Sequence, residues 1–350
     1  MRGDTLSETI PDRPSTPLSD QNFPTSSPVQ DIRPRARISG VGGCLPRQIV
    51  TNEDLAQRLE TSDDWIRTRT GIRQRHIVSE GENAVSLAAQ AARNALEQAG
   101  VGPQDVDAVI VATSTPDQVF PAVAVRVQAA LGMRAGFGFD VSAACSGFIY
   151  ALSTANAFIG TGMAKRVLVI GVEVFSRLLD WEDRATCVLF GDGAGAVLLE
   201  AGAAPGEGIL STHLHSDGTL GDLLYVDGAA GTGTNSVLKM QGREVFRHAV
   251  VRLAEAVDEA LDANGLCGAD IQWLVPHQAN LRIIDGMAKR LALPAERVVV
   301  TVDRHANTSA ASIPLALNEA VRDGRIRKGD LILMEALGGG LTWGSALLRY

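Results

Sequence analysis

Three residues of this chain sit where their side chains could do chemistry: Cys145, His277 and Asn307. Cys145 stands in Asp140-Val141-Ser142-Ala143-Ala144-Cys145-Ser146-Gly147-Phe148. An apolar run ends there, small residues turn the chain, and a helical window with Ile149, Leu152 and Ala155 begins. A thiol at a helix N-terminus lies where the helix dipole and free N–H groups favour thiolate. The same N–H groups can receive an oxyanion when a thioester is attacked. A cysteine among small residues is also an ordinary filling for a core turn, and the local context alone leaves both readings open.

His277 lies in Trp273-Leu274-Val275-Pro276-His277-Gln278-Ala279-Asn280, after an apolar strand and before a helix. That is the C-terminal end of a strand, where the sites of α/β proteins gather. Asn307 lies in Arg304-His305-Ala306-Asn307-Thr308-Ser309-Ala310-Ala311-Ser312-Ile313-Pro314. An asparagine at a helix start is commonly an N-cap, and His277 could equally be a histidine bonded within a loop. His305 reads as structural. Cys187, in an apolar strand-like run, Cys44, in a turn after Gly42-Gly43, and Cys267, in a later turn, also read as structural.

Two glycine-rich stretches need weighing. Gly191-Asp192-Gly193-Ala194-Gly195-Ala196 lacks the GK[ST] of a phosphate loop and runs into a strand rather than a helix, so it reads as a tight turn that lets backbone approach closely. Gly338-Gly339-Gly340 could present a bare N–H to an oxyanion.

The elements that must position these residues follow an α/β pattern. Short runs such as AVIVA (108–112) and VLVIG (167–171) are apolar on successive residues, which predicts strands buried on both faces. They alternate with Ala-rich helical windows such as 85–99. The pattern repeats. The segment at 96–117 resembles that at 261–280, with Gly100 and Gly265 marking helix ends 165 residues apart. FDVSAACSGFIYAL from Phe139 resembles TVDRHANTSAASIPLAL from Thr301, and RVLVIGVEVF from Arg166 resembles DLILMEALGGG from Asp330. Three pairs in one order predict a duplicated α/β lobe whose related turns converge on one centre. On that reading His277 takes the place of Ala112, and Asn307 faces Cys145 from the opposite lobe.

Composition bounds the rest. The chain has 350 residues, 45% hydrophobic and 21% charged, enough for a large soluble core. A net charge of −8 argues against a general nucleic-acid binder, and no apolar run is long enough to span a membrane. Four scattered cysteines without a CxxC pair point to a reducing compartment, so the protein is expected in the cytoplasm. Residues 1–35 hold six of the 14 prolines among Ser, Thr and Asp, and are expected to be a disordered extension.

The stretches TSDDWIRTRTGI, FDVSAACSGF, FGDGAGA, VPHQANLRII, NTSAASIP and GGGLTWGSALLRY occur in order along residues 36–350. In them the chain closely resembles the β-ketoacyl-acyl-carrier-protein synthase III family, condensing enzymes that initiate type II fatty acid synthesis. The resemblance implies a thiolase-type α/β fold, with duplicated lobes in five αβαβα layers and a homodimer. The lobes are expected over 36–205, with Cys145, and 206–350, with His277 and Asn307. It implies that Cys145 is acylated by an acyl-CoA, commonly acetyl-CoA. His277 and Asn307 would hold the malonyl thioester carbonyl while carbon dioxide leaves, and the carbanion would then attack the acyl-cysteine. The backbone N–H groups of Cys145 and Gly339 would form the other oxyanion hole.

The resemblance further implies that Trp65 and Arg184 hold the adenine of CoA, with Arg69 near its 3′-phosphate and Gly242 in the pantetheine tunnel. Arg247, Arg282, Lys289 and Arg290 would receive the acidic acyl carrier protein, though such charges also suit a solvated helix face. Phe120 and Leu337 would wall the acyl pocket, with Leu337 and Leu341 standing where the family commonly has phenylalanine. No tightly bound cofactor and no metal is implied. Other readings stay open: a related thiolase-fold enzyme taking a branched or longer primer in secondary metabolism, or a non-catalytic acyl-carrier-binding protein that keeps the fold. A degradative thiolase would need a second cysteine near the C-terminal glycines, and none stands there.

Overall fold

Runs that are apolar at every position need cover on both faces. In the computed structural model, which describes residues 35–227 and 236–350, they form the middle of a layered α/β body. The first sheet holds β1 (Ala36–Cys44), β2 (Ala108–Ala112), β3 (Phe137–Val141), β4 (Arg166–Val174) and β5 (Asp192–Ala201) in the order β1-β5-β4-β2-β3. The second holds β6 (Gly208–Ser216), β7 (Trp273–Pro276), β8 (Leu331–Gly338) and β9 (Thr342–Arg349) in the order β7-β8-β9-β6. Outside β7, Val298 bridges Leu274 in parallel, in the place β3 takes beside β2.

Strand directions also agree. β2 and β4 are parallel, as are β7 and β8. β5 runs antiparallel to both its neighbours, as does β9. The two sheets are therefore copies of one unit, and the duplication read from the sequence is present in the fold.

The helices are α1 (Asp63–Thr70), α2 (Ala84–Ala99), α3 (Val123–Leu131), α4 (Gly147–Gly160), α5 (Gly242–Asn264), α6 (Leu281–Arg290) and α7 (Ser312–Arg322), apart from short turns. α2 and α3 cover the outer face of the first sheet, and α5 covers the outer face of the second with α6 packed on it. α4 and α7 lie between the sheets, which completes five αβαβα layers. α4 is mostly apolar, and its Tyr150, Ser153 and Asn156 find hydrogen-bond partners in His215, Thr212 and Ala36, as polar groups between two sheets must. Its Phe148, Ile149 and Leu152 are fully buried, each stabilising by about 1.5–3 kcal/mol. The matched helices α2 and α5 both end on a left-handed glycine, Gly100 at φ 67° and Gly265 at φ 62°.

Two local expectations are corrected. Cys44 is the last residue of β1, paired with Ala194, and not part of a turn. Gly193 and Gly195 lie inside β5 rather than in a tight turn. Their smallness serves packing: a methyl group on Gly195 would sit 2.6 Å from the backbone nitrogen of Leu315, so α7 can rest directly on the strand. The extension expected over residues 1–35 lies, except for Arg35, outside the described residues. Among the described residues no helix is long and apolar enough to cross a membrane.

Candidate active site

The functional side chains sit at the C-terminal ends of strands in both sheets. Cys145 follows β3, His277 follows β7, and Asn307 follows the segment that bridges β7. All three are buried. One short segment, Asn307–Ser312, touches each of them. The turn that opens at Ser309 packs against the turn that holds Cys145, and the Ser309 hydroxyl favours the Cys145 thiolate. The Ser309 backbone N–H donates to Asn307 Oδ1 at 2.8 Å. The Ser312 Oγ lies 2.6 Å from His277 Nδ1.

These bonds decide what each group can offer. Asn307 Oδ1 is occupied as an acceptor, so its Nδ2 is left to donate. The Asn307 backbone is fixed as well, its N–H donating to Leu189 O at 2.9 Å and its O accepting from Gly191 N at 3.0 Å. Ser312 Oγ accepts from the Gln278 N–H at 3.3 Å and pairs with His277 Nδ1. In the tautomer with hydrogen on Nε2 the serine donates to Nδ1, and Nε2–H is left as a donor. Burial pulls the His277 imidazole down to about 3, so it stays neutral.

Gly338 shows why the glycine triplet is needed. A methyl group there would sit 2.5 Å from the Cys145 backbone nitrogen. The end of β8 thus lies directly against the amide next to the thiol, with Gly339 the next residue along.

One electrostatic expectation is reversed. A helix N-terminus was expected to favour the Cys145 thiolate. Burial outweighs it and pushes the thiol up to about 12, with the Ser309 hydrogen bond opposing and the Glu173 charge adding to the rise. At neutral pH the sulfur is a thiol.

Three site residues escaped the sequence reading. Glu173, on β4, is fully buried and takes hydrogen bonds from Thr115 Oγ1 at 2.6 Å, Ser114 N at 3.1 Å and Ser309 Oγ at 3.2 Å. Burial pushes its carboxyl up to about 7 against those donors. Glu335, on β8, is buried beside His277, whose N–H donates to the Glu335 backbone oxygen at 2.8 Å. Among the described residues its Oε2 has no hydrogen-bond partner, and burial pushes the carboxyl up to about 8. The third is Ser312. A usable signal existed for both acids: each interrupts an otherwise apolar strand, in IGVEV and LILMEALG. Nothing in the local sequence singles out Ser312.

A second cluster lies at the rim. The guanidinium carbons of Arg69 and Arg184 stand 4.6 Å and 4.8 Å from the Trp65 ring centroid, so the three residues named for CoA come together. Asn280 Nδ2 donates to Arg69 O at 3.2 Å and ties α1 to the start of α6. Gly242 is exposed at the start of α5. On α5 and α6, Arg282 lies over the Phe246 ring, Arg247 pairs with Glu244 and Arg290 pairs with Asp258. The last two charges are therefore partly countered within the chain. Lys289 occupies the last turn of α6.

Of the residues expected at the acyl pocket, Leu337 is buried beside Leu341 and Trp343. Phe120 is 82% exposed in the loop before α3. Cys187 is buried in a turn rather than a strand, and Cys267 is exposed with Sγ 3.2 Å from Asp270 Oδ2.

Known proteins resemble the chain over most of its length. Residues 139–218 match the family described as 3-oxoacyl-[acyl-carrier-protein (ACP)] synthase III, and residues 261–350 match its C-terminal part. A β-ketoacyl-[acyl-carrier-protein] synthase III from Acidiphilium cryptum is 66% identical over 318 residues, 90% of this chain and 99% of that one. The crystal structure of 3-oxoacyl-[acyl-carrier-protein] synthase III from Aquifex aeolicus matches with a TM-score of 0.86 at 48% identity, over 90% of this chain and all of that one. The priming β-ketosynthase of the R1128 polyketide pathway matches with the same TM-score at 38% identity, over 91% and 96% of the two chains.

Proposed function

Because the chain belongs to the β-ketoacyl-[acyl-carrier-protein] synthase III family, we propose that its acyltransferase chemistry, the condensation of an acyl-CoA with malonyl-acyl carrier protein that opens fatty acid synthesis, runs through Cys145, His277 and Asn307. In the first half-reaction Cys145 attacks the acyl-CoA thioester. Sulfur suits this exchange, being both a strong nucleophile and a good leaving group. The oxyanion is held by the N–H groups of Cys145 and Gly339.

In the second half-reaction malonyl-acyl carrier protein replaces CoA. Loss of carbon dioxide puts negative charge on the thioester oxygen. Asn307 Nδ2 and His277 Nε2–H donate to that oxygen, and the carbanion attacks the acyl-cysteine. The observation that carries this reading is the Asn307–Ser312 segment. It occupies the acceptor side of Asn307, which leaves Nδ2 to donate, and it takes up Nδ1 of His277, which leaves Nε2 as the ring nitrogen for the substrate.

The primer is acetyl-CoA, with Leu337 against the acyl group. Trp65 and Arg184 hold the adenine, Arg69 the 3′-phosphate, and Gly242 lines the path of the pantetheine. Arg247, Arg282, Lys289 and Arg290 meet the carrier protein. The chain works as a cytoplasmic homodimer of two-lobed subunits, 36–205 and 206–350, without a tightly bound cofactor. Intact-mass measurement after mixing with a panel of acyl-CoAs tests the nucleophile and the primer together. The acetyl adduct should form fastest on the wild type and should be absent from Cys145→Ser. An adduct that persists in the serine variant would overturn the assignment.

A further inference from the structure

Acylation requires the buried Cys145 thiol to lose a proton, and the donors described so far offer it no acceptor. His277 is pulled down to about 3, and its Nδ1 faces the Ser312 hydroxyl. Ser309 stands in the turn packed against that of Cys145, and its hydroxyl donates to Glu173 Oε1 at 3.2 Å. Ser309 has a single proton. Turned to the sulfur, that proton stabilises the thiolate. Directed to the carboxylate, it leaves the oxygen lone pairs open to the thiol. Ser309 can thus face the S–H and the carboxylate in turn.

We propose that Ser309 and Glu173 form the path by which the Cys145 thiol gives up its proton during acylation and recovers it after condensation. The inference rests on the reading that Cys145 is acylated. In the first step the S–H bond breaks and its proton passes to Ser309 Oγ, while the Ser309 proton passes to Glu173. The sulfur forms its bond to the thioester carbon, the bond to the CoA sulfur breaks, and the CoA thiolate takes a proton from water. In the second step the malonyl carboxylate leaves as carbon dioxide and the carbanion displaces the Cys145 thiolate. Glu173 then returns its proton through Ser309 to that sulfur. The cycle consumes one proton from water, as the overall reaction requires.

Three features favour a relay over a purely structural network. First, Ser309 opens its turn at φ 50°, as Ala144 opens the matched turn at 45°, so the shared backbone fixes where the Ser309 side chain starts, and its hydroxyl reaches Glu173 from there. Second, Glu173 meets neutral donors: Thr115, Ser114, Ser309 and the Ala310 N–H. Third, burial leaves its carboxyl at about 7, able to take or release a proton near neutral pH. Glu173 acts through Ser309 and is a positioning residue; Ser309 touches the reacting sulfur.

The test compares wild type, Ser309→Ala and Glu173→Gln in two assays. Rapid mixing with acetyl-CoA, read by intact mass across neutral pH, follows acylation; carbon dioxide release from malonyl thioester follows decarboxylation. The titratable groups around the sulfur are Glu173, His277 and Glu335, and His277 stays neutral over this range. Wild-type acylation should rise with pH through about 7 as Glu173 ionises. Both variants should lose that inflection and about 100-fold of the acylation rate at neutral pH, while decarboxylation changes little. An inflection that survives in Ser309→Ala, or a matching fall of both half-reactions, would overturn the relay; Ser309→Ala decides alone if Glu173→Gln does not fold. Absence of acyl-Cys145 in the wild type would overturn the underlying reading as well, whereas normal wild-type acylation with an unchanged Ser309→Ala profile overturns the relay alone.

Discussion

Ala144 and Ser309 occupy equivalent places in two copies of one turn. Each opens a three-residue turn at positive φ, 45° at Ala144 and 50° at Ser309. Each turn leads directly into one of the two helices between the sheets. Such conformations cost a non-glycine residue about 1–3 kcal/mol, and here both copies keep one at the same point. In one lobe the next residue is the nucleophile Cys145; in the other, Asn307 stands two residues before the turn and is held by the Ser309 N–H. The duplication thus supplied matched backbone, and side-chain changes divided the labour.

Gly338→Ala should damage acylation first. Its methyl group would need the space of the Cys145 backbone nitrogen, 2.5 Å away, so the oxyanion pocket must shift. Acylation by acetyl-CoA should fall at least about 100-fold. Stability should drop by about 1–3 kcal/mol, as overpacking usually costs. Stopped-flow acylation and urea unfolding measure the two effects.

Ser312→Ala should free the His277 ring to choose the wrong tautomer. Carbon dioxide release from malonyl thioester should slow at least about tenfold, since a histidine held in the wrong tautomer loses far more than that in other enzymes. Acyl-Cys145 formation should change less. Equal loss in both assays would assign Ser312 to folding instead.

Stability should fall as pH rises from about 6.5 to 8, and Glu335→Gln should flatten the fall. Burial raises Glu335 to about 8 and Glu173 to about 7, so the folded state holds protons that the unfolded chain has released above about 4.5. That stabilisation is complete below the unfolded value and is lost as pH passes the folded one. His277, lowered to about 3, acts oppositely below about 6.5, where unfolding takes up a proton. Above that pH only the carboxyls contribute, each with a slope of at most about 1.4 kcal/mol per pH unit. Denaturant midpoints across the range read the slope.

Trp65→Ala should raise KM for acetyl-CoA by about 10- to 100-fold, the usual worth of stacking one base, with little change in kcat. Arg69 and Arg184 would lose the ring they flank at 4.6 Å and 4.8 Å. Steady-state kinetics with varied acetyl-CoA separates the two constants.

Much of this arrangement was legible in the sequence, for a physical reason. The strands are buried on both faces, so they read as unbroken apolar runs, and the helix ends carry glycines at matched offsets. Cys145, His277 and Asn307 each follow such a landmark. The supporting groups were hidden because their partners are remote in sequence: Ser309 meets Glu173 across 136 residues and Ser312 meets His277 across 35. The protonation of Cys145 was misjudged because helix position is local, whereas burial depends on the packing of both lobes.

The division of labour between the lobes is tested most directly by one preparation of Asn307→Ala examined two ways. Intact mass after mixing with acetyl-CoA alone reports acylation, and carbon dioxide release from malonyl-acyl carrier protein alone reports decarboxylation. The Asn307 side chain donates only in the second reaction, so acyl-Cys145 should still form while carbon dioxide release falls by about 100- to 1000-fold, the usual cost of one oxyanion donor. Blocked acylation with intact decarboxylation would contradict the account and place Asn307 with the machinery of the nucleophile.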